Sequence, residues 1–163
     1  NDDELTDLVA YAIENGFDIS FIEEMPLGNT TAHDLKGAHL ASHGIREILS
    51  QSYELIESAY KTGGPSRYWT IKGSDCKVGF ISPHSHNFCD TCNRVRLTAE
   101  GRLLLCLGNE HSLDLREVVR RHPFDRQHLT DAIFHALTLK PEKHHFNLDE
   151  PPQILRFMNA TGG

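Results

Sequence analysis

The sequence predicts a mixed α/β chain: the last helix and strand of an incomplete parallel barrel, then a small antiparallel sheet with helices. Three observations carry this. A helical stripe from Leu5 to Ile13 leads into an alternating apolar run that ends at Met25-Pro26-Leu27-Gly28. Short strand-like segments then cluster between Arg67 and Leu105, and two further helical stripes reach Leu139.

Asn1 and Asp2 are cap-type residues ahead of Leu5, Leu8, Val9, Ala12 and Ile13, which fall on one helical face as far as Gly16. From Phe17, the residues Phe17, Ile19, Phe21 and Met25 share one phase of an alternation, the pattern of a buried strand. In a parallel barrel the residue after such a strand lies at the mouth where these folds place their active sites, which draws attention to Met25. The polar stretch from Asn29 to Gly44 reads as a loop. Ile45, Ile48 and Leu49 return to helical spacing, and Thr62-Gly63-Gly64-Pro65-Ser66 breaks it. Beyond that break, Arg67 to Ile71 and Lys77 to Ile81 read as strands. Arg94 to Thr98 reads as a hairpin with Arg102 to Leu105 across Ala99-Glu100-Gly101. Helices are expected over Asp114 to Arg121 and Arg126 to Leu139, the second with Leu129, Ile133, Ala136 and Leu137 on one stripe. The expected organisation is therefore a final αβ unit over 1–28, a helical and loop connection over 29–63, and a C-terminal module over 64–163. A first residue of Asn, already at a helix cap, suggests a piece of a longer chain.

The charge balance excludes some functions. A formal charge of −7 and a pI near 5.8 argue against broad attraction to nucleic acid or an anionic membrane, which need a basic face. There is no bilayer-length apolar run and no signal-peptide pattern at the start, so the cytoplasm is the expected compartment. A homodimer is the assembly considered.

Three of the four cysteines lie in the pattern Cys89-x2-Cys92-x13-Cys106, which puts two thiolates on one turn and a third at the end of the returning hairpin. That is a soft-metal pattern. Three thiolates on a four-iron cluster leave one iron without a protein ligand. Alternatively, His84 or His86 could complete a tetrahedral zinc site, and spacing alone does not separate the two metals. Cys76 stands alone and reads as a core thiol. Arg94 and Arg96, at i and i+2 after the second cysteine, project from one face of an extended strand. They form a candidate clamp for phosphate or carboxylate, against the plainer reading of a solvated strand face.

The motifs Phe21-Ile22-Glu23-Glu24-Met25-Pro26-Leu27-Gly28, Gly79-Phe80-Ile81-Ser82-Pro83 and Phe88-Cys89-Asp90-Thr91-Cys92-Asn93-Arg94-Val95-Arg96-Leu97-Thr98-Ala99-Glu100-Gly101 occur in this order. Together they resemble the GTP 3′,8-cyclase family, radical S-adenosylmethionine enzymes that open molybdenum-cofactor synthesis. The resemblance runs to Lys140-Pro141 and the closing Gly162-Gly163.

This resemblance implies a TIM-like radical S-adenosylmethionine barrel followed by a C-terminal cluster domain. It implies a 4Fe-4S cluster on Cys89, Cys92 and Cys106 whose open iron meets the guanine of GTP. Arg94, Val95 and Arg96 match the family's GTP-contacting segment, and Met25 its S-adenosylmethionine contact. Gly162 and Gly163 match its catalytic tail. In the whole enzyme a second 4Fe-4S cluster cleaves S-adenosylmethionine, the resulting radical takes the ribose 3′ hydrogen, and the carbon radical attacks guanine C8. The Cys-x3-Cys-x2-Cys loop for that cluster is absent from this sequence, so these residues alone are expected to be inactive. The remaining alternatives are a zinc-stabilised binding module with three cysteines and one histidine, and another radical enzyme with an auxiliary cluster.

Overall fold

The fold comes from a computed structural model, which describes residues 1–28, 35–144, 146–150 and 154–161, with the side chains of residues 35 and 36 excepted. In chain order its elements are α1 (Leu5–Asn15), β1 (Ile19–Ile22), α2 (Leu35–Ala38), α3 (Ser42–Ser50), β2 (Leu55–Glu57), β3 (Arg67–Ile71), β4 (Lys77–Ile81), β5 (Arg96–Leu97), β6 (Arg102–Leu104), β7 (Ser112–Asp114), α4 (Leu115–Arg121) and α5 (Arg126–Thr138). They group into two compact units, one of Asn1–Met25 with Gly37–Phe88 and one of Pro26–Lys36 with Cys89–Gly163.

In the first unit, α1 ends where Gly16 takes φ +70, a conformation that suits a residue without Cβ, and its N–H closes onto the carbonyls of Ala12 and Ile13. The four-stranded sheet has the order β1-β4-β3-β2, with β1 parallel to β4 and the other pairs antiparallel. Leu5, Val9 and Ala12 of α1, with Ile45 and Leu49 of α3, bury one face of this sheet against Ile71, Val78 and Phe80. Cys76 lies in that same core.

The sequence reading assigned β3 and β4 to an antiparallel sheet with the later hairpin; the structure instead pairs β4 with β1 through the register Ile19↔Val78 to Ile22↔Ile81. Periodicity announces a strand but not its partner, and this partner lies a long crossover away. Phe17 stands outside β1 and is 54% exposed. The expected loop over Asn29 to Gly44 contains α2 and the start of α3, while residues 29–34 lie outside the described residues.

The second unit is built on the antiparallel sheet β5-β6-β7 and the helices α4 and α5. Gly101, at φ +84, makes the expected turn between β5 and β6. A Cβ there would stand 2.9 Å from Cβ of Arg116, so the position requires glycine on two counts. Asp114 caps α4 by accepting from the Glu117 N–H, and Asp125 caps α5 by accepting from the N–H groups of Gln127 and His128. Leu103, Leu105, Leu115 and Ala136 form the core, with Leu113, Leu129, Ala132 and Ile133 packed around it. Thus β6 and the α5 stripe hold each other, and the end of β6 is where Cys106 emerges.

Candidate metal centre

Cys89 opens a single 3-10 turn over Cys89–Thr91, and the Cys92 N–H closes it onto the Cys89 carbonyl at 3.1 Å. Cys106 follows Leu105, just beyond β6. All three are half-buried cysteines outside any disulfide.

Each sulfur accepts a backbone N–H. The donor to Cys89 is His144, at 3.4 Å, and those to Cys92 and Cys106 are Arg94 and Gly108, two residues downstream of each. The Arg94 side chain also donates to Cys92. N–H groups aimed at sulfur favour thiolate, the form that binds metal.

Lys140, at the end of α5, joins the two halves of the pattern. Its Nζ donates to the Leu105 carbonyl at 2.8 Å and the Arg94 carbonyl at 3.1 Å, and it lies 4.0 Å from Sγ of Cys92. Burial alone would push the Cys92 thiol up, but the Arg94 hydrogen bonds and the Lys140 and Arg94 charges outweigh it and hold the thiol below its ordinary range. For Cys106, burial wins: its thiol is pushed up despite Gly108 and Lys140, and the Cys89 and Cys92 charges add to the rise. Three thiolates in electrostatic reach of one another repel, and a bound cationic centre would relieve that repulsion.

Among the described residues, no group of three or more His, Cys, Asp or Glu side chains is placed to hold a metal ion.

Arg156 fastens the loop that follows Cys106. Its guanidinium donates to the carbonyls of Leu107 at 3.2 Å and Asn109 at 2.5 Å, and pairs with Glu110. Gly108 in that loop meets the His144 segment so closely that a Cβ would stand 2.7 Å from Cβ of His144. Sequence reasoning missed Gly108, His144 and Arg156 altogether and met Lys140 only as part of the Lys140-Pro141 motif. The available signal was weak: a Cys-x-Gly step at 106–108, and a lysine just before a proline.

Arg94 and Arg96 are both half-buried, with Val95 between them 37% exposed, and only Arg96 stands on β5. The structure adds that Arg94 is engaged with Cys92. Met25 is half-buried at the end of the first unit. Gly162 and Gly163 lie outside the described residues.

His84 and His86, the zinc alternative's fourth ligands, belong to the first unit. The Nε2 of His84 lies 2.9 Å from the Glu24 carbonyl, and its ring packs edge-on against His39. Glu23 beside it is 1% exposed and accepts from the N–H groups of Ser42, His84 and Ser85 and from the Ser85 hydroxyl. Burial would raise its carboxyl, but these bonds, that from the Ser85 hydroxyl foremost, hold it at about 2.

Fold and site together define a mixed α/β chain with three cysteines on the turn and hairpin of its second unit. The family model described as Molybdenum Cofactor Synthesis C matches residues 17–146, and the chain belongs to that family. Among its relatives, GTP 3′,8-cyclase of Saccharophagus degradans is 59% identical over 98% of this chain and 48% of its own length. GTP 3′,8-cyclase of Ectopseudomonas mendocina and GTP 3′,8-cyclase 2 of Pseudomonas aeruginosa are each 55% identical over 100% of this chain and 49% of their own. The chain thus spans about half the length of the curated relatives it matches. No helix among the described residues is long and apolar enough to cross a membrane.

Proposed function

We propose that this chain is the C-terminal, substrate-holding part of a cytoplasmic GTP 3′,8-cyclase acting in molybdenum-cofactor synthesis, and that Cys89, Cys92 and Cys106 hold a 4Fe-4S cluster. The observation that carries the reading is a set of three cysteines outside any disulfide, each given an N–H donor, in a chain of this family. When bound, such a cluster supplies one iron without a protein ligand, able to accept a nitrogen or oxygen of the guanine base.

The chain's own residues do the rest. Lys140 and the three N–H donors offset thiolate charge and keep both ligand segments in register. Arg94 and Arg96 bind the triphosphate: Arg96 offers its guanidinium to phosphate oxygens, and Arg94 bridges phosphate and Cys92. Val95 lies between them in the GTP-contacting segment. Fixing base and phosphates at two ends orients the ribose for hydrogen abstraction, a contribution of position rather than of acid–base chemistry. Met25 contacts S-adenosylmethionine, and Gly162-Gly163 forms the tail that approaches the reacting centre, where a residue without Cβ permits close contact. The cluster that cleaves S-adenosylmethionine would come from outside these 163 residues, which contain no Cys-x3-Cys-x2-Cys.

Anaerobic reconstitution tests the proposal. About four iron and four sulfide per chain are expected, with a cluster spectrum that GTP perturbs and that Cys89→Ala removes. One zinc and a colourless chain would overturn the cluster, and a spectrum indifferent to GTP would overturn substrate ligation.

A further inference from the structure

The first unit carries a second cationic site, distinct from the cysteines and from Arg94 and Arg96. A cavity of about 170 Å³ is lined by His43 and Arg46 of α3, Arg67 and Trp69 of β3, Phe80 of β4, and the Ser82–His86 turn. Both guanidiniums face one indole: Arg46 Cζ lies 4.8 Å and Arg67 Cζ 5.7 Å from the Trp69 ring centroid. Arg46 also lies 5.6 Å from the Phe80 ring. Among the described residues no carboxylate forms an ion pair with Arg46, whereas Arg67 pairs with Glu57 at 3.0 Å on the exposed rim. The buried Glu23 lies behind the serines, with its oxygens already occupied by four hydrogen bonds. Two guanidiniums thus line one cavity and lie against one indole, in a chain of net charge −7.

We propose that this cavity binds a tetrahedral oxyanion, either inorganic phosphate or the phosphoryl group of a small ester. Arg46 and Arg67 would be the donors, with the His43 and His86 imidazoles beside them. Guanidinium forks match phosphate oxygens, and the indole face keeps the forks oriented. The donor set fixes the class: two guanidinium forks beside one indole match the oxygens of a single phosphoryl group.

Trp69 is the chain's single tryptophan, so its fluorescence reports occupancy of this cavity. Titration with inorganic phosphate at constant ionic strength, with chloride as control, should give a saturable change. Arg46→Gln and Arg67→Gln should each weaken binding about tenfold or more, as expected for charge-assisted bonds. Glu57→Gln, which releases Arg67, should tighten it, and Arg94→Gln should leave it unchanged, which keeps this site separable from the GTP reading. Because Arg67 is exposed, its variant folds even where Arg46→Gln disturbs packing on Trp69. A parallel titration with glycerol phosphate separates a free ion from an esterified phosphoryl by which binds more tightly. A response that chloride reproduces, or saturation unaltered in Arg67→Gln, would overturn the proposal.

Discussion

Glu23 shows how one buried charge organises a segment. Its carboxylate follows β1 and gathers the N–H groups of Ser42, His84 and Ser85, tying the start of α3 to the turn after β4. Because its folded value of about 2 lies below the ordinary 4.5, its stabilisation is complete above about pH 4.5 and is lost as pH falls toward 2. The gap corresponds to about 3 kcal/mol. Urea unfolding of Glu23→Gln should show a loss of that order at pH 7 that vanishes near pH 2. Lys140 is the counterpart in the second unit, a half-buried ammonium shared between two carbonyls. Lys140→Met should destabilise the metal-free chain by about 1–3 kcal/mol and increase iron loss on gel filtration of the reconstituted protein. Neither role was legible beforehand. In the sequence Glu23 and Lys140 stood only as members of motifs, because a charge's partners lie in segments that no spacing rule connects to it.

Local elements were far easier to read. The α1 stripe, the helices α4 and α5 and the β5–β6 hairpin all match their expected positions to within a few residues, since each is set by period, caps and a glycine turn. The short strands β2 and β7 went unforeseen; three residues are too few for a period, and their pairing partners define them. The loop after Cys106 is the element on which the centre turns. Gly108→Ala would drive a Cβ into the His144 and Phe146 segment, moving the N–H that meets Cys89. Overpacking of this kind should cost about 1–3 kcal/mol by thermal unfolding and lower iron content, with the first unit's core untouched.

At the scale of the molecule, the two cores are made of different residues, and Cys89, Cys92 and Cys106 belong to the second unit. Loss of the metal centre should therefore act unevenly. Hydrogen exchange of the reconstituted and metal-free chains should show β5, β6 and the loop to Gly108 losing protection, while β1, β3 and β4 keep theirs. Equal loss in both units would show that they unfold as one. The sequence by itself determined α1, α4, α5, the hairpin and the Cys89-x2-Cys92 turn, all features whose cause lies within a few residues. Only the tertiary structure decided that β4 pairs with β1, that His144, Arg94 and Gly108 point their N–H groups at sulfur, and that Arg46 and Arg67 meet over Trp69. Those contacts join distant segments or depend on the local path of the backbone, and apolar burial with the return of the chain, rather than any local pattern, brings them together.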